Sequence, residues 1–125
     1  MPKAIRVHEY GGPEAMSYED VPTAEPGPGQ LRIRQTAIGV NFIDVYFRKG
    51  AYKAASLPFT LGKEGAGEVA AIGEGVTGFK VGERVAYAGA VGTYAEEVIV
   101  EAAGTVHVPD GVSDETAAAM MLKGL

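Results

Sequence analysis

The sequence predicts a mainly β domain, a barrel or sandwich of short strands with two short helical stretches. Eighteen glycines in 125 residues point to many tight turns, because glycine enters backbone conformations closed to other residues. Between those turns, short runs of strand character recur at steady spacing, as in barrels and sandwiches. Helical patterns are confined to GVNFIDVYFRKGAY at 39–52 and to the last residues, 113–125.

The length suits one domain with a core of its own. Apolar residues at 46% and charged residues at 22% are ordinary for a globular protein. A net charge of −5 with no basic cluster argues against a nucleic-acid partner. The absence of cysteine excludes a disulfide framework and thiolate chemistry and fits a cytoplasmic setting. The opening MPKAIRVHEY has no apolar run of signal-peptide type, and no apolar run is long enough to span a bilayer, so no membrane partner is expected.

In chain order, residues 3–9 read as a first strand and Tyr10-Gly11-Gly12-Pro13 as a turn. Ala15 to Val21 is its hairpin partner. TAEPGPGQ at 23–30 cannot sit in a central strand. LRIRQTAIGV at 31–40 alternates, with Leu31, Ile33 and Gln35 on one face and Arg32, Arg34 and Thr36 on the other. The helix follows, with Asn41 as N-cap and Gly50 as stop. Phe42, Val45 and Tyr46 fall at helical spacing, and Asp44, Arg48 and Lys49 are interleaved with them. Residues 51–60 read as an exposed loop. LGKEGAGEVAAIG enters a second strong strand, its glycines marking close approach of a backbone or a ligand. Lys80-Val81-Gly82-Glu83 is a turn and Arg84 to Ala88 a strand. GTYAEEVIVEAAGTV holds another strand before His107-Val108-Pro109. Ser113 then caps a helix through TAAAMMLKGL, whose alanine and methionine face calls for a partner outside this chain.

Gly73-Glu74-Gly75-Val76-Thr77-Gly78 matches G-x-G-x-x-G, but Phe79-Lys80-Val81-Gly82 continues no helix that could take a pyrophosphate, so the motif reads as a turn. His8 and His107, each in an apparent strand, read as solvated or half-buried residues, since zinc would need further ligands to converge on them. Glu64 enters a strand expected to be buried; it is either part of a bulge with an exposed ion pair or a functional group, since isolated buried carboxylates are costly. On the sequence alone Tyr46 and Tyr52 read as core aromatics with hydroxyls at the rim, ahead of a functional role. The residues alone lead to a glycine-rich β domain with a polar cluster at 39–52.

KAIRVHEYGGPEAM, AIGVNFIDVYFRKGAY, LPFTLGKEGAGEV, GVTGFKVGERVAY and HVPDGVSDETAAAMMLKGL stand in this order over nearly the whole chain. Together they resemble the N-terminal, GroES-like catalytic domain of the medium-chain dehydrogenase/reductase superfamily, in its zinc-free quinone oxidoreductase (zeta-crystallin-like) branch. The resemblance implies a partly open GroES-like β-barrel over residues 1–112. It also implies a helix at 113–125 leading to a Rossmann cofactor domain outside this chain. Asn41 stands where the zinc enzymes carry a cysteine, Gly62-Lys63-Glu64 replaces their G-H-E, and their four-cysteine lobe is missing; no metal is expected.

The same resemblance implies NADPH as cofactor and a quinone or enone as hydride acceptor, with a homodimer as the full-length form. It places Asn41 and Tyr46 against the nicotinamide and ribose and Phe42 beside them. Tyr52 falls at the substrate mouth as a hydrogen-bond donor to a carbonyl gaining charge, so Tyr52 and Asn41 are the catalytic candidates. Asp44 and Glu64 would orient the site, and Lys63 would face the cofactor. An enoyl reductase module and a stand-alone GroES-like binding or assembly module without catalysis are the alternatives. The 125 residues alone are expected to be inactive.

Overall fold

The computed structural model describes residues 2–50, 57–88 and 92–118, with Phe42 described by its backbone alone. Among the described residues, eight strands form two antiparallel sheets. The smaller is ordered β2-β1-β4, from Met16–Asp20, Lys3–Val7 and Phe59–Thr60. The larger is ordered β7-β3-β5-β6-β8, from Glu97–Glu101, Gln30–Gly39, Glu64–Ile72, Arg84–Ala88 and Thr105–His107. The barrel-like reading thus takes the form of two open sheets that do not close. They meet at an isolated bridge between Ala4 and Ala95. Backbone bonds from Ile5 N–H to the Tyr94 carbonyl (2.7 Å) and from Glu96 N–H to the Lys3 carbonyl (2.9 Å) tie the same seam.

The alternation read in 31–36 is real: Leu31 and Ile33 are fully buried while Arg34 and Thr36 are exposed. They join Val69, Val85, Tyr87, Val98 and Val100 in one core cluster. β5 and β6 do not alternate, since Glu64 to Gly67 and Val85 to Tyr87 are buried without a break. Such runs arise where both faces of a strand are covered. The second cover is a small core of Ala66, Ala86, Val108, Ala117 and Ala118. The alanine half of the C-terminal face therefore has its partner in this chain, contrary to expectation; Met120 and Met121 lie outside the described residues.

Gln35 points inward, as its place in the alternation implies. It accepts a hydrogen bond from the Tyr87 hydroxyl and donates to the carbonyls of Thr93 (2.7 Å) and Ala95 (2.9 Å). Burial pushes the Tyr87 hydroxyl far above the usual phenol range, so it acts as a donor throughout. The glycines of β5 answer to this packing: a Cβ at Gly65 would strike Gln35 and the Tyr87 hydroxyl. What comes close here is side chains from β3 and β6, the strands on either side of β5, with no ligand needed to explain the small residues.

Two local expectations change and a third holds. Part of the 51–60 loop is strand, because Phe59 and Thr60 pair with Val7 and Arg6. His8 lies just past the end of β1. The G-x-G-x-x-G segment is a turn as read, with the Gly73 N–H bonded to the Gln30 carbonyl at 2.8 Å.

Candidate active site

α1, Phe42–Lys49, starts where β3 ends. Asn41 is its N-cap in extended backbone, and Gly50 closes it in the left-handed conformation (φ 86°), which glycine adopts at little cost. The Asp44 N–H bonds the Asn41 carbonyl (3.0 Å). Asp44 in turn returns its carboxylate to the Asn41 backbone N–H (3.0 Å), the reciprocal arm of a capping box.

The helix does not present the faces that its pattern suggested. Asp44 is only 3% exposed, whereas Tyr46 is 46% exposed and is no core aromatic. Asp44 turns inward because its Oδ2 accepts two donors, the Asn41 N–H and the Tyr94 hydroxyl at 2.7 Å. Its other oxygen is buried without a partner among the described residues. Burial first, then the Asp44 carboxylate, push the Tyr94 hydroxyl well above the usual phenol range.

Glu64 opens β5 and is 1% exposed, so the exposed ion pair is excluded. It lies opposite Gly39 in the β3–β5 register and accepts the Asn41 side-chain amide at 2.7 Å. A side chain at position 39 would overlap Glu64; glycine there is what lets a carboxylate reach the helix start.

Asn41 and Glu64 share the wall of a cleft of about 240 Å³ with Ala37, Ile38, Gly39, Val40, Glu115 and Ala118. The far wall is the helical turn at 114–118. Ser113 caps that turn as expected, accepting the Thr116 N–H at 3.1 Å. Asp114 then fixes the turn to the sheet, accepting from Thr36 (2.5 Å) and from Arg84 (2.7 and 3.0 Å). Burial alone would raise the Asp114 carboxyl. Thr36 and Arg84 together outweigh it and hold the group below the usual carboxylate range.

The structure thus brings together Asn41, Asp44 and Glu64. Lys63 lies with its ammonium 4.6 Å from the Phe47 ring centre, a cation–π contact with α1. Tyr46 stands on the exposed side of the helix, and Tyr52 lies outside the described residues. His8 and His107 stay apart, each paired with a carboxylate, Glu19 at 2.9 Å and Glu83 at 3.3 Å. Among the described residues, no three His, Asp or Glu side chains gather as a metal site. Sequence reasoning missed Tyr94, Arg84 and Asp114 as parts of this arrangement. Only Asp114 gave a signal, as an acidic residue in a first helical turn.

Residues 27–110 match the alcohol dehydrogenase GroES-like domain. The chain belongs to that family. Within the medium-chain dehydrogenase/reductase superfamily it falls in the quinone oxidoreductase branch. A quinone oxidoreductase of Pseudomonas aeruginosa is 56% identical over the whole of this chain, which spans 39% of that relative. A quinone oxidoreductase structure from Pseudomonas syringae pv. tomato DC3000 superposes with a TM-score of 0.96 at 50% identity, over 99% of this chain and 38% of that one. The Escherichia coli quinone oxidoreductase complexed with NADPH gives 0.95 at 40% identity, over 98% and 38%. The chain therefore spans about two fifths of the relatives that it matches.

Proposed function

We propose that this chain is the catalytic-domain part of an NADPH-dependent, zinc-independent quinone oxidoreductase. The observation that carries the proposal is the Asn41 amide held on a buried Glu64 at the wall of the small-sided cleft. Similarity to quinone oxidoreductases over the whole chain supports it.

The cleft suits the nicotinamide end of NADPH. Gly39, Ala37 and Ala118 leave room for a flat ring, and an amide with two carboxylate residues, Glu64 and Glu115, offers partners for a carboxamide. It does not suit the phosphates, because neither charged residue lining it is basic. Those groups would be held by chain beyond these residues. When bound, NADPH supplies a hydride, and the protein contributes position and electrostatics.

Asn41 and Glu64 would fix the plane of the ring, and Asp44 would fix Asn41. Exposed Ile38 and Val40 beside the amide would carry the apolar face of a quinone or an activated alkene. Tyr52 and Tyr46 we assign to the acceptor mouth and the ribose side. A tyrosine hydroxyl can donate to an acceptor oxygen as it gains charge. Zinc plays no part in this reading, since Asn41 and Lys63 stand at the ligand positions of the zinc enzymes and neither suits tetrahedral zinc. We place the protein in the cytosol as a homodimer acting on small molecules, a setting that a cysteine-free chain suits.

The test uses the protein at the full length of its relatives, assayed for NADPH oxidation with a panel of quinones and enones. Turnover with a quinone is expected, unchanged after treatment with a zinc chelator. Both Asn41→Ala and Tyr52→Phe should lower kcat about tenfold to a hundredfold. Wild-type rates in both variants would overturn the site assignment, and loss of activity to the chelator would overturn the zinc-free reading.

A further inference from the structure

What sets the position of Asn41 is a residue distant in sequence, 50 positions beyond the Asp44 that it bonds. Tyr94 donates its hydroxyl to Asp44 Oδ2 at 2.7 Å, and the same oxygen accepts the Asn41 backbone N–H at 3.0 Å. Tyr94 is itself fastened at the seam of the two sheets. Its N–H donates to the Leu61 carbonyl (2.8 Å), and its carbonyl accepts the Ile5 N–H (2.7 Å). The phenol is therefore a strut running from the seam to the first turn of α1. Because Asp44 Oδ1 is buried without a partner among the described residues, the rotation of that carboxylate is held by the two donors on Oδ2.

We propose that Tyr94 is a positioning residue of the candidate active site: it holds the Asp44 carboxylate that caps α1, and so sets where the Asn41 amide stands against Glu64. Its catalytic consequence rests on the function proposed above; its effect on Asn41 rests on the hydrogen bonds alone. The hydroxyl remains a donor at working pH, because burial and Asp44 both disfavour its ionisation. Tyr94 also lines the apolar cavity beside Val40, Val45 and Leu61, so a purely structural role would act through its ring.

Tyr94→Phe separates the two roles, since it keeps the ring and both backbone bonds and deletes only the hydroxyl. In NMR spectra the side-chain amide signals of Asn41 are expected to shift or broaden in Tyr94→Phe, with the signals of Leu31 and Ile33 unchanged. In the full-length protein, kcat should fall about tenfold with KM for NADPH within about twofold, the pattern of lost alignment. Placed on Asn41→Ala, the same change should cost nothing more, because the group that it positions is gone. Unchanged Asn41 signals, or a full kcat loss persisting in the Asn41→Ala background, would overturn the proposal. If wild type reduces no quinone, the functional reading falls, and the Asn41 signals still decide the role of Tyr94.

Discussion

A methyl group added at Gly39 would fall within the Glu64 side chain, meeting its Cγ as well as its carboxylate. Gly39→Ala should therefore push Glu64 off the Asn41 amide, and the loss should show in NADPH turnover more than in the melting temperature. Asp44→Ala acts on the fold itself. It leaves the Asn41 N–H and the Tyr94 hydroxyl without their acceptor, which costs about 1–3 kcal/mol for each donor left unpaired. Urea unfolding measures that loss, and Asp44→Asn, which keeps an acceptor oxygen, should recover part of it. Neither residue's role is open to a reader of the pattern. A helical wheel assigns an aspartate between apolar residues to water, and nothing local shows that an oxygen acceptor is needed inside. Glu64 was ambiguous for the same reason, its partner being 23 positions away.

At the scale of elements, the turn at 114–118 is held to the sheet by the Asp114 carboxylate and by the packing of Ala117 and Ala118 with Ala66 and Ala86. The Asp114 carboxyl is depressed below its ordinary 3.8, so its contribution is complete above that value and is lost as pH falls through the lower, folded one. The methyl signals of Ala117 and Ala118 should therefore titrate only below pH 3.8, and in Asp114→Asn that titration should vanish. Strands β3, β5, β6 and β7 of the larger sheet were legible because alternation, or a run of small and apolar residues, continues for at least three residues between glycine turns. β4 was not legible: with two residues after a proline, it exists only through its pairing with β1. The helix starts were legible from Asn41 and Ser113, since capping is decided within four residues.

Over the whole molecule, stability rests on two cores on opposite faces of one sheet. Leu31→Ala or Ile33→Ala in the larger core should cost about 2–5 kcal/mol in urea unfolding, while Val81→Ala on an exposed turn should stay within about 0.5 kcal/mol. The two-sheet arrangement itself was beyond the sequence, because the seam joins residues 3–5 to residues 94–96 and no local pattern marks such a pairing. That seam has a consequence for how the chain can change over generations. The stretch 94–96 joins the sheets and also anchors the strut to α1, so a lineage cannot drift there for one purpose without disturbing the other. The outward face of β2, with Tyr18 exposed, carries no such double duty and is where neutral variation should accumulate.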